Sequence, residues 1–184
     1  GEFVRSFKRP DALTGKWGNR VADNEAGWSA FPWDCLLKGD NSVWWWTSWG
    51  CDYTPFNPDL SQNNFGRWFF AAARETTAGP GNLLLHAERD DSRIAVLYSQ
   101  QDLFAAAIVG QLVEGAAFAG DRSFLKEHEA ILKGIKDLGC QFRHFSVADL
   151  EQGRIPPDDY PVLILPCASC ISEEQVAALR EFVE

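Results

Sequence analysis

Glu2 stands beside the short apolar pair Phe3 and Val4 at the beginning of the chain. If residues 1–4 end a strand, Glu2 lies where a barrel mouth would present a carboxylate nucleophile. Hydrolysis of a glycosidic bond needs a second carboxyl group, as proton donor or base. No other carboxylate acquires an argued position from the residues alone. Asp23 and Glu25 are only two apart in a loop-like stretch, a spacing that fixes no geometry, and Asp52 and Asp59 read equally well as solvated groups. The tryptophans Trp44, Trp45, Trp46 and Trp49 are the most informative local feature. Side chains alternate between the faces of a strand, so some of these rings belong to a core. Trp46 and Trp49, nearest the strand's C-terminal end, leave two readings open: packing, or a flat platform for a sugar whose hydroxyl binds the indole N–H. Trp28 and Trp33 either cover a site mouth or anchor a long loop.

Cys167 and Cys170 form C-A-S-C after an apolar run, a spacing that is redox-active when a helix start acidifies the first thiol. Pro166 precedes the pair, and Cys35, Cys51 and Cys140 are scattered, so structural thiols are the first reading, with redox work and metal binding as alternatives. His86, His128 and His144 have no metal-ligand spacing, and His128 is expected at the surface of its helix. No glycine-rich phosphate loop occurs, and one cysteine after a strand does not make an amidotransferase site. No cofactor is expected. With 26 acidic against 17 basic residues the formal charge is -9, which repels nucleic acid and anionic membranes. Neither a nucleic-acid nor a membrane partner is expected; the lack of a long apolar run and of a signal-like start does not fix the compartment, which stays unknown with a cytoplasmic location weakly favoured.

The elements that must position these groups fall into two halves. All eight tryptophans lie between Trp17 and Trp68, and all three histidines follow. The 184 residues are too few for two complete α/β domains or a full barrel of about 250 residues. Residues 1–35 read as a long loop before a short helix over Trp33 to Lys38, because Pro10, Gly15, Gly18, Gly27 and Pro32 break any period. SVWWWTSWG suits a parallel, internal strand buried on both faces. Phe65, Trp68, Phe69, Ala72 and Ala73 recur at helical spacing, and the charged segment HAERDDS marks a boundary near residue 90. Beyond it, residues 93–99, 140–145 and 162–165 read as three neighbouring parallel strands. Leu103 to Ala119 is ambiguous, with helix favoured, and residues 122–138 read as a helix capped by Gly139. VADLEQGRIPPDDY is a polar connection, and Ser172 with Gln175 forms a capping box. Both ends read as cut edges, so the chain is expected to be a fragment.

Taken together, FPWDCLLKGDNSVWWWTSWG, NFGRWFFAAARETTAG, RIAVLYS and YPVLILPCASCISEEQVAALREFV resemble the family 42 glycoside hydrolases, the β-galactosidase-like enzymes. The resemblance implies an α/β chain in two parts: residues 1–89 as the C-terminal portion of a (β/α)8 barrel, and residues 90–184 as the start of a flavodoxin-like or class I glutamine amidotransferase-like trimerisation domain. It implies that Glu2, some forty residues before the tryptophan run, is the nucleophile of a retaining β-galactosidase-like hydrolase, and that its acid/base glutamate lies in a region this sequence does not contain. Trp46 and Trp49 would be the sugar platform, a β-galactoside or related carbohydrate the ligand, and a homo-oligomer, with a trimer as one option, the assembly. This fragment alone would be inactive. The competing expectation is a noncatalytic carbohydrate-binding or assembly module.

Overall fold

A computed structural model describes residues 2–9, 11–18, 24–45, 54–88, 90–108 and 123–184. The chain divides into two compact units, Gly1–Arg89 and Asp90–Glu184.

The first unit begins with helix α1 (Glu2–Phe7), strand β1 (Gly15–Gly18) and helix α2 (Glu25–Leu37). The long loop expected over residues 1–35 is therefore corrected. Asn24 caps α2 by accepting a hydrogen bond from the Gly27 N–H at 2.9 Å, with the acidic Glu25 in the first turn. Pro32 lies inside α2 and removes only one backbone donor, a loss tolerated here because buried Trp28, Cys35 and Leu36 hold the helix by packing. Strand β2 (Ser42–Trp45) pairs in parallel with β1, Gly15 opposite Ser42. Any Cβ at residue 15 would run into the Ser42 carbonyl, so glycine permits this close approach.

Helix α3 (Asn64–Thr77) is capped by Asn63, whose Oδ1 accepts from the Gly66 N–H at 2.9 Å while its amide donates to the Thr54 carbonyl. A short helix, α4 (Pro80–His86), follows with proline in its first turn, where the missing N–H does no harm. The core of the unit lies between α2 and α3: Trp28 is fully buried with its ring 5.7 Å from Phe65, and Phe31 lies 6.4 Å from Phe69.

The second unit comprises β3 (Ile94–Tyr98), α5 (Gln100–Ile108), α6 (Ser123–Asp137), β4 (Arg143–Ser146), α7 (Val147–Glu151), β5 (Val162–Ile164) and α8 (Glu173–Val183). The strands are parallel in the order β4-β3-β5, so the first strand takes the middle. Alternation along β3 divides the core between the sheet's faces. Ala95 and Leu97 join Phe145, Val147, Leu150 and Ile155, packed by side chains of α8. Val96 joins Ile135 and Phe142, packed by Leu132 and Ile164. A strand covered on both faces must be apolar throughout, which is why RIAVLYS could be read directly. Gly139 ends the turn after α6 at a φ of +76°, with its N–H on the Lys136 carbonyl at 2.8 Å.

Helix α7 occupies part of the segment that had read as a polar connection. Five residues are too few to show a helical period, but Ser146 and Asp149 form a complete capping box. Burial alone would raise the Asp149 carboxyl; hydrogen bonds from Ser146 and Arg154 outweigh it and hold the group below its ordinary value.

These elements overturn the fold the family resemblance implied. The described residues form a two-stranded and a three-stranded parallel sheet, both open, and not a closed eight-stranded (β/α)8 TIM barrel. Three strands do not make a flavodoxin-like or amidotransferase-like domain. Glu2 opens a helix instead of ending a strand. Strand β2 is parallel as expected, but it is not buried on both faces, since Trp44 is 40% exposed.

His128 on α6 is half-buried, between exposed neighbours in the helix. Its ring stacks against that of buried His144, centroids 6.3 Å apart and planes 12° from parallel. Burial lowers the His128 pKa from its ordinary 6.5, against the opposing pull of Glu129. The folded form therefore binds fewer protons than the unfolded form as pH falls through 6.5 towards the depressed folded value. Stability is full above that window and declines within it. Urea unfolding at pH 7.5 and pH 5.5 is expected to show a lower midpoint at the acid pH, and His128→Gln should narrow the difference.

Candidate functional site

The C-terminal end of α2, the start of β2, and helices α3 and α4 enclose a cavity of about 310 Å³. Its walls are mainly apolar: Leu36 from α2, Phe69 and Phe70 from α3, and Leu85 from α4. Five polar residues, Asp40, Asn41, Ser42, Thr76 and Thr77, interrupt them. The volume is at the lower end of the range for small-molecule sites.

Asp40 is the anomaly in this lining. It is 5% exposed, and its buried Oδ2 has no hydrogen-bond partner among the described residues. A buried polar atom without a partner costs about 1–3 kcal/mol, more when charged. Lys38 and Lys16 are engaged by Asp34, 2.6 Å and 3.2 Å from its carboxylate. Burial tends to raise the Asp34 carboxyl, but its bonds to Lys38 and Lys16 prevail and lower it. The backbone fixes Asp40 closely, its N–H donating to the Cys35 carbonyl at 3.0 Å in the turn that closes α2.

Cys35 lines the same cavity at 1% exposure. Burial pushes its thiol up to about 11; Lys16 opposes this, and Asp40 and Asp34 reinforce it. The sulfur is a neutral part of the wall and is poorly suited to nucleophilic attack.

A second polar constellation lies at the carboxyl ends of β3 and β5, where open α/β sheets commonly bind ligands. Here every strong group is satisfied within the fold. Asp102 is 3% exposed and its Oδ1 accepts from the N–H groups of Ser169 and Cys170 at 2.7 and 2.6 Å. Ser99 caps α5 by accepting from the Asp102 N–H at 3.1 Å. Cys167 adopts a φ of +53°, and its thiol donates to the Glu127 carboxylate at 3.6 Å. Burial, then Glu127 and Asp102, raise the Cys167 pKa. An active CxxC requires the reverse shift, so the structural reading of this thiol is favoured over redox work. Among the described residues no group of three or more histidine, cysteine or acidic side chains could hold a metal, and no helix is long and apolar enough to cross a membrane.

The residues singled out in the sequence are not gathered in either place. Glu2 begins α1, and its side chain is outside the description; Trp46, Trp49, Asp23, Cys51, Asp52 and residues 109–119 lie outside the described residues. Trp28 anchors α2, and Trp33 is half-buried in the same helix. Glu25 is exposed in the first turn of α2, and Asp59 is an exposed turn residue accepting from Ser61 at 2.6 Å. His86 accepts or donates within its own helix, 2.9 Å from the Asn82 carbonyl. Asp40 and Asp102 were passed over because aspartate in a G-D-N turn or at a helix start has no spacing that marks it as buried.

Comparison with protein-family models, curated proteins and solved structures gives no match. The expected identity as a family 42 glycoside hydrolase is therefore corrected, and with it the retaining β-galactosidase-like activity and the galactoside site. Neither the sheets nor the comparisons supply the catalytic barrel on which those expectations depended.

The Asp102 clamp yields a direct expectation. Asp102→Ala removes the acceptor of two loop N–H groups and should destabilise the second unit by about 2 kcal/mol. Hydrogen exchange should accelerate at Ser169 and Cys170. Unchanged protection at both amides would show that the loop is held by other means.

Proposed function

We propose that the first unit is a small-molecule-binding module. Its cavity receives a small ligand with an apolar body and a polar head that meets the polar side chains of the wall. The observation carrying this reading is a mainly apolar cavity of about 310 Å³ whose wall is interrupted by polar side chains, the nearly buried Asp40 among them. Burying the ligand body supplies the nonspecific part of affinity at roughly 25 cal/mol per Å² of apolar surface. The polar head supplies orientation.

Asp40→Leu separates this role from a structural one. It removes an unsatisfied acceptor and fills part of the cavity with apolar atoms, so it should stabilise the unit by about 1–2 kcal/mol while weakening capture of a donor-bearing probe such as 2-phenylethanol. Thermal unfolding and titration calorimetry measure the two effects. A destabilised variant would show that Asp40 serves the fold and would overturn the reading.

A second reading concerns self-association through the other unit. Phe104 and Ile108 lie four residues apart on α5 and are both exposed, Ile108 by 85%. Adjacent apolar side chains on one helix face suit a contact between copies. Light scattering should detect an oligomer that Ile108→Glu dissociates, and a wild-type protein that is monomeric at micromolar concentration would exclude it.

A further inference from the structure

Helix α8 is apolar over a wider arc than the core of its unit covers. At 3.6 residues per turn, Ala178, Phe182, Leu179, Val183 and Val176 follow one another around about 160° of the helix, where one buried face needs about 100°. Ala178, Leu179 and Phe182 pack against the core that contains Ala95, Leu97 and Phe145. Val176 and Val183 lie beyond that contact and are 36% and 82% exposed. With Leu179 they line an open groove of about 320 Å³ along the helix, with Arg180 and Glu184 on its margin. The lining residues recur at the three- and four-residue spacing of a single helix face, the surface into which a second helix packs its own ridge of side chains.

The charge beside the groove selects the occupant. Helix α8 carries four carboxylates, Glu173, Glu174, Glu181 and Glu184, against one cation, Arg180, and all five residues are exposed. None of the four carboxylates forms an ion pair among the described residues. Glu184 borders the groove itself, and Glu173 lies three residues before Val176 on the same side of the helix. Arg180 tempers this balance without reversing it, and residues 90–184 as a whole hold twice as many acidic as basic residues. A second copy of the chain seated here would set these carboxylates against their own kind, and an anionic membrane would be repelled in the same way. A helix with an apolar stripe edged by lysine or arginine meets apolar surface with apolar surface and carboxylate with cation. We infer that α8 docks a cationic amphipathic helix of a partner protein.

Two synthetic peptides of about 14 residues test this on the full chain. Both carry leucine at helical spacing, with lysine at the remaining positions of one and glutamate at those of the other. Calorimetry at low salt should show micromolar binding of the lysine peptide and at least about tenfold weaker binding of the glutamate peptide. Hydrogen exchange should slow within α8 when the lysine peptide is bound. Val176→Ser combined with Val183→Ser strips the exposed apolar stripe without adding charge and should weaken the lysine peptide about tenfold. Glu173→Gln combined with Glu184→Gln should weaken it about threefold and flatten its dependence on salt. All four positions are exposed, and a thermal melt confirms that both variants are folded. Affinity indifferent to the serine pair, or protection appearing outside α8, would show attraction by net charge alone and overturn the inference. Equal binding of the two peptides, or no binding up to about 1 mM, would overturn it as well. A dimer in light scattering that the serine pair dissociates would assign the groove to a second copy instead.

Discussion

The arrangement of the first unit's cavity depends on the carboxamide of Asn41. By accepting from Thr14 and donating to Ala12, this side chain ties the segment before β1 to the turn before β2. The Thr14 carbonyl receives the Asn41 and Ser42 amides and the Ser42 hydroxyl, which brings β1 and β2 into register with Gly15 against Ser42. Asp40 immediately precedes this knot and is bonded backward to the last turn of α2. Its backbone is held from both sides, so its side chain cannot easily swing out to water to recover the solvation lost on burial. Rigid satisfaction around one unsatisfied group is what gives that group predictive value.

The second unit rests on a different constraint. A central parallel strand must be apolar on both sides, and β3 distributes Ala95 and Leu97 to one core and Val96 to the other. The loop at its carboxyl end is tied down by Asp102, whose carboxylate links the start of α5 to Ser169 and Cys170. This region has the topological position of a ligand crevice, but its acids are committed to holding backbone and thiol. Position in a fold supplies a prior, and the hydrogen-bond inventory decides against it here.

Much of the local architecture was legible because it depends on patterns confined to short windows. The apolar run Ile94–Tyr98, the helical spacing of Phe65, Phe69 and Ala72, the Gly139 terminus and the Ser172–Gln175 box each contain their own physical reason. Helix α2 was obscured because Pro32 outweighed Asn24 and Glu25 in the reading, although a proline's local penalty can be exceeded by packing as complete as that of Trp28. The larger error had another source. Tryptophans are conspicuous, and their order beside apolar strands invited comparison with a barrel enzyme, but element order is weaker than closure of a sheet, which no short window contains. The candidate site was not legible. Ser42, Thr76 and Thr77 are unremarkable in sequence, and their protons are assigned only by the carbonyls the fold brings to them.

Asp40 and Asp102 show why residue type and burial together still fall short of function. Both are aspartates at 5% exposure or less. Each is near a helix end, Asp40 just beyond α2 and Asp102 in the first turn of α5, and neither belongs to a motif. Asp102 has two backbone donors within 2.7 Å, so its desolvation is compensated inside the protein and a ligand would have to displace bonds already made. Asp40 Oδ2 has no such donor and no exposed surface, so its desolvation is left uncompensated in a residue that borders the cavity. The difference lies in the partner atoms, three-dimensional facts separated in sequence by 67 residues for Asp102 and Ser169. A buried acid that is satisfied holds a fold together, whereas one left unsatisfied costs the fold stability and marks its neighbourhood as a place to look for function.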